Sequence, residues 1–80
     1  MYKPVKLKKT IKYRSRRILS ANLLKYRKKN DMARECLALN CEIDPKYLCK
    51  IEHGTAGATV DTLDKISEGT GIPVWELVSE

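Results

Sequence analysis

The chain has 80 residues, 42% of them hydrophobic with one Trp and no Phe, a length that holds one small domain and excludes a two-domain enzyme. A chain of this size buries only roughly 60% of its unfolded surface, so the fold must be economical. The formal charge of +6 is unevenly placed: residues 1–17 carry eight basic side chains and no acid, against eight basic and ten acidic in the other 63, and a basic tail on a near-neutral domain points to nucleic acid or an anionic membrane surface.

Residues 1–17, MYKPVKLKKTIKYRSRR, read as a basic N-terminal arm, because eight like charges oppose compact local structure. Val5, Leu7, Ile11 and Tyr13 have strand-like spacing, which leaves a solvated extended tail and a short strand both open; Lys8-Lys9-Thr10 lacks the Gly, Asn or Asp of a tight hairpin turn. From Ile18 the period changes to about 3.6. Leu19, Leu23 and Tyr26 predict helix one, up to about Lys29, with Asn30-Asp31 as the break. Met32, Leu37, Ala38 and Cys41 predict helix two, to about Asn40, with Asp31 as its N-cap.

Asp44-Pro45 is the strongest local signal, a capping carboxylate before a proline whose missing N–H costs nothing at the first helical position. Helix three starts there, carries Tyr47, Leu48 and Ile51 on its apolar stripe, and stops at Gly54. Thr55-Ala56-Gly57-Ala58 is a loop. Thr59 caps helix four, which runs through Glu68 with Val60, Leu63 and Ile66 inward, and Gly69 and Gly71 end it. Helix five begins at Pro73 and carries Val74, Trp75, Leu77 and Val78. Five short helices with short connections over residues 18–80 make an all-α domain.

Leu37-Ala38, Ile43, the run Tyr47-Leu48-Cys49-Lys50-Ile51-Glu52-His53-Gly54, Val60-Asp61-Thr62-Leu63 and Ile72-Pro73-Val74-Trp75-Glu76-Leu77 together resemble the Cro/repressor (XRE) helix-turn-helix family, over about Leu19 to Val78. The resemblance implies a five-helix, lambda-repressor-like DNA-binding domain in which the helix from Pro45 to His53 enters the major groove and the helix from Asp31 to Asn40 crosses the backbone. It places base-reading side chains at Pro45, Lys46, Tyr47 and, one turn later, Lys50. Lys46 and Lys50 share a helix face and can donate to guanine or to phosphate. Arg34 stands where the family often has a phosphate-contacting glutamine, and supplies a fully charged contact.

The loop after helix three usually adds backbone contacts. Here it carries no charge, so only its N–H groups and the Thr55 hydroxyl serve. Arg27 and Glu52 match positions that form an internal ion pair in the family. Where the family has glycine in the turn between helices two and three, this chain has Glu42. Either Glu42 is left-handed, at a cost on the order of 1 kcal/mol, or Asn40 becomes the left-handed cap. Thr70 replaces a preferred leucine, implying a thinner core near helix five.

Cys36, Cys41, Cys49 and His53 are the set most easily mistaken for a zinc site, but their spacing lacks a short Cys-x2-Cys knuckle and Cys41 reads as core, so no metal or other cofactor is expected. His53 reads as a helix-end residue at the negative end of the dipole. No nucleophile and base stand out together and no glycine-rich phosphate loop is present, so the chain is not read as an enzyme. An odd cysteine count favours the reducing cytoplasm. The longest apolar run, Cys36 to Leu39, is four residues, far short of the about 20 of a membrane span.

The expected function is a sequence-specific, repressor-like transcription regulator that binds double-stranded DNA as a homodimer. Arg14, Arg16 and Arg17 of the arm add backbone contacts, as basic arms do in some DNA-binding proteins. Family members of this size include phage repressor-like proteins, controllers of restriction systems and antitoxins. The alternative is an antitoxin-like or adaptor module whose main partner is another protein, with Trp75 and Val78 as the exposed candidates unless they are ordinary core contacts. Attachment of the arm to a membrane surface is weaker, because Val5, Leu7 and Ile11 form no wide helical apolar face.

Overall fold

Five α-helices follow one another in the computed structural model, which describes residues 13–80: α1 (Arg14–Lys29), α2 (Arg34–Cys41), α3 (Pro45–Glu52), α4 (Val60–Thr70) and α5 (Val74–Leu77). The tail and strand alternatives for the outer arm lie outside the described residues. α1 starts one turn earlier than Ile18, so Arg14, Arg16 and Arg17 are helical. Arginine is among the better helix formers, and local partners offset the repulsion: Arg17 N–H donates to Tyr13 O at 3.3 Å, the Arg16 guanidinium lies 4.2 Å from the Tyr13 ring centroid, and Arg14 meets Glu80.

α1, α2 and α3 end in the same closure, in which a left-handed residue and the residue after it each send an N–H back to an orphan carbonyl. At α1 the residue is Asp31 (φ 49), with Met32 N–H on Arg27 O at 2.9 Å and Asp31 N–H on Lys28 O at 3.3 Å. At α2 it is Glu42 (φ 56), with Ile43 N–H on Ala38 O at 3.0 Å and Glu42 N–H on Leu39 O at 3.1 Å. At α3 it is Gly54 (φ 74), with Thr55 N–H on Lys50 O and Gly54 N–H on Ile51 O, both at 3.0 Å. Of the two states open for the turn after α2, the chain takes the one with Glu42 left-handed. Asp31, expected to cap helix two, is instead spent on closing α1, so α2 starts at Arg34 with Ala33 as its N-cap.

The starts of α3 and α4 follow their caps: Asp44 accepts from Lys46 N–H at 2.8 Å and Thr59 Oγ1 from Thr62 N–H at 3.1 Å. α4 continues through Gly69 to Thr70, and Gly71 (φ 77) ends it. Gly69 is therefore not a stop. A Cβ there would lie 2.5 Å from Cys41 Sγ and 2.9 Å from both Asn40 O and Cys41 Cα, so this glycine permits α4 to press its backbone onto the end of α2. Thr70, at the position of the preferred leucine, turns its hydroxyl onto Ile66 O at 2.8 Å and accepts from Ile72 N–H at 3.2 Å.

α2 packs on α3 and α4, and α1 on α3 and α5, around a core of Leu19, Leu23, Leu37, Ala38, Cys41, Leu48, Ile51, Ile66 and Leu77. At 100° per residue, Leu63 stands about 60° and Val60 about 120° from Ile66. Exposure follows that rotation: Ile66 is buried, Leu63 half-buried and Val60, expected inward, exposed. α5, too short to stand alone, is tied to α1 by Asn22, whose side-chain amide donates to Leu77 O at 2.7 Å and Ser79 O at 3.0 Å. Among the described residues no helix is long and apolar enough to cross a membrane.

Candidate nucleic-acid interface

α2, the turn at residues 42–44 and α3 form a helix-turn-helix. α3 buries Leu48, Ile51 and Glu52 and leaves Pro45, Lys46 and Lys50 exposed. The expected base-reading set is thereby brought together with one exception in kind. Tyr47 is half-buried against the core, and its hydroxyl donates to Gly57 O at 2.9 Å. Its main contact in the free protein ties α3 to the following loop, while Lys46 and Lys50 project freely one turn apart.

Behind this surface, Glu52 is almost fully buried and both of its carboxylate oxygens are bonded. Arg27 Nε donates to Oε2 at 2.7 Å, Arg27 Nη2 to Oε1 at 2.9 Å, and Arg34 Nε to the same Oε1 at 2.8 Å. The expected Arg27–Glu52 pair is present, and Arg34 joins it as a third member. The bond to Glu52 raises the Arg34 guanidinium above its ordinary value. Arg27 Nη1 also donates to Met32 O at 3.1 Å, and the Ser20 hydroxyl donates to Glu52 O. The carboxylate thus fastens α1, the start of α2 and the end of α3 to one another.

The three arginines near the start of α1 diverge. Arg14 and Arg17 line a groove that also includes Ile18, Asn22 and Glu80, on the side toward α5. Arg16 points to the loop after α3, where a Cβ on Gly57 would stand 3.0 Å from its Nε. Thr55 is exposed, with its hydroxyl on Lys50 O at 3.2 Å. The sequence reading missed Arg34 as a partner of Glu52, the Tyr47–Gly57 tie and the seat of Arg16. The uncharged run from Thr55 to Ala58 gives no sign of the cation that packs against it.

The cysteines lie apart in character: Cys36 is exposed, Cys41 buried and Cys49 half-buried. Cys49 Sγ is 3.5 Å from His53 Nδ1, and that nitrogen lies 2.7 Å from Cys49 O, which makes His53 a cap on the end of α3. Among the described residues no group of three or more His, Cys, Asp or Glu could hold a metal ion. Trp75 is 68% exposed and Val78 half-buried, so Trp75 is not an ordinary core contact.

No family model matches the chain. It is 39% identical over 59 residues to the control protein C.MunI of a Mycoplasma species, across 72% of this chain and 80% of that protein. It is 34% identical over 50 residues to the control protein C.BamHI of Bacillus amyloliquefaciens, across 62% of each, which is less than two thirds of that relative's length. Among solved structures it is similar to a hypothetical transcription factor, NHTF, from Neisseria, with a TM-score of 0.76 over 98% of this chain and 87% of the other. At 20% identity that likeness speaks for the fold alone.

Proposed function

The chain belongs to the control-protein family that C.MunI represents, and on that premise we propose that it is a sequence-specific, repressor-like transcription regulator that reads the major groove of double-stranded DNA with α3. The observation that carries this reading is the pair of exposed lysines, Lys46 and Lys50, one turn apart on the face of α3 opposite its buried Leu48 and Ile51. Base edges are read there by Pro45, Lys46, Lys50 and the rim of Tyr47. Arg34, Thr55 and the α1 arginines Arg14, Arg16 and Arg17 hold the phosphate backbone, which fixes register without specifying sequence. Arg14 meets Glu80 in the free protein, an exposed pair for which salt and phosphate compete.

One short recognition helix reads few base pairs, so the protein acts as a homodimer on two-fold-related half-sites about 10 bp apart or a multiple of that. Its place of action is the cytoplasm, where free thiols persist. Exposed Trp75 favours, as the second reading, an antitoxin-like or adaptor role with a protein partner and secondary DNA binding. Selection of bound duplexes from a random pool tests the first reading and should return a repeated half-site. On point-mutated versions of that site, Lys46→Ala and Lys50→Ala should each change the preference at particular positions, whereas Arg34→Ala should weaken all sequences about equally. Selection of a single unrepeated half-site, or a uniform loss in all three variants, would overturn the dimeric and groove assignments respectively.

A further inference from the structure

The loop that follows α3 carries no charged side chain from Thr55 to Ala58, yet it borders the helix that reads DNA. A cation does reach it, from the first helix. Arg16 of α1 lies against Gly57 so closely that a Cβ there would be 3.0 Å from its Nε, 3.4 Å from Nη2 and 3.6 Å from Cζ. Gly57 has no left-handed backbone, so no turn demands a glycine here, and a side chain at this position would make the Arg16 tip give by a few tenths of an ångström. The guanidinium is also stacked 4.2 Å from the Tyr13 ring centroid. Stacking occupies the face of the guanidinium and leaves N–H donors at its edge, the geometry that binds phosphate in bidentate fashion. Tyr47, through its bond to Gly57 O, fixes the same loop residue to α3.

We propose that Arg16 and the Gly57 loop form one composite phosphate subsite for the DNA backbone, in which Gly57 is the positioning residue that seats the guanidinium and Tyr47 sets its register against Lys46 and Lys50. The inference rests on the DNA-binding reading above. It assigns Arg16 to the folded domain and not to a trailing arm, and it supplies the charge that the loop lacks.

The experiment measures affinity across a salt series for the full chain and for Arg16→Ala, Arg16→Lys, Gly57→Ala and the Arg16→Ala/Gly57→Ala double variant. The probes are the selected duplex and a single-mismatch version, with far-UV circular dichroism as the check on folding. Loss of one phosphate contact reduces the slope of log affinity against log salt by about 0.9, so the ratio of wild-type to Arg16→Ala affinity should grow about 3.5-fold between about 200 and about 50 mM salt. The loss should be equal on both duplexes. Arg16→Lys should keep most of the slope, and Gly57→Ala should weaken binding alone but add nothing to Arg16→Ala. An unchanged slope in Arg16→Ala, or additive losses in the double variant, overturns the subsite. If Lys46→Ala still alters base preference in that event, the groove reading survives; if the wild type binds no duplex, both fall.

Discussion

Arg34 Nε donates to Glu52 Oε1 at 2.8 Å, joining the first residue of α2 to the last residue of α3. Because Arg27 uses both oxygens of the same buried carboxylate, Glu52 is the point at which α1, α2 and α3 meet. Glu52→Gln keeps the shape but leaves two guanidiniums without their shared carboxylate, and should lower the stability of the domain. Arg27→Met leaves Arg34 to neutralise the carboxylate and should cost less. Urea unfolding of both variants checks this order; equal midpoints would remove Glu52 from that central role.

At Gly69 two effects oppose. Alanine in a helix interior is favoured over glycine by about 1 kcal/mol, but the added Cβ would meet Cys41 Sγ at 2.5 Å and the backbone of Asn40 and Cys41 at 2.9 Å. Backbone cannot swing aside as a side-chain tip can, so Gly69→Ala should lower stability by about 1–3 kcal/mol. Pairing it with Cys41→Ala relieves only the contact to sulfur and should not restore the domain. A stabilising Gly69→Ala in thermal unfolding would show that α2 and α4 have room to separate.

Where chemistry within a few residues decides, the sequence was legible. Asp44-Pro45 and Thr59 announce the starts of α3 and α4 through caps they make with their own helices. Asp31 misled for the same reason in reverse: an acid between two helices suits either the end of one or the start of the next, and the closure of α1 takes it. The Arg27–Glu52 pair was accessible through family resemblance, but Arg34 joins it only because packing of α1 and α3 leaves a carboxylate oxygen facing the start of α2. Gly69 looked like a stop and Gly57 like an ordinary loop residue. What each glycine permits is an approach by a segment remote in sequence, which no local pattern encodes. Trp75 follows the apolar period of α5 but faces outward, since four residues on a small core have one inward face, and Leu77 fills it.

Burial pushes the Cys41 thiol above its ordinary value, because the thiolate would lose its hydration. The unfolded chain then releases this proton at a lower pH than the folded one. The stability contributed by the group is fully present below the unfolded thiol value, about 8.5, and is lost as pH rises through the raised folded value. Between about pH 7 and about pH 9.5, the urea midpoint of the wild type should fall more than that of Cys41→Ala, in which this titration is absent. Parallel declines would show that the thiol contributes nothing to alkaline sensitivity.

The exposed Glu42 holds a left-handed backbone at φ 56, in the turn that sets α3 against α2. A residue with a Cβ is disfavoured there by about 1–2 kcal/mol, while glycine carries an entropic cost of about 0.5–1 kcal/mol. Glu42→Gly should therefore stabilise the domain by about 0.5–1 kcal/mol, which for a chain of this length raises the thermal midpoint by about 2–8 °C. Glu42→Gln removes the charge without relieving the backbone and should leave the midpoint close to wild type. Glu42→Asn should fall between them, since its short polar side chain tolerates this conformation. If Glu42→Gln stabilises as much as Glu42→Gly, the cost at this turn is electrostatic and not conformational. The closure that survives in Glu42→Gly, with Ile43 N–H on Ala38 O, should keep α3 at its present angle, so base preference in the duplex selection should be unchanged.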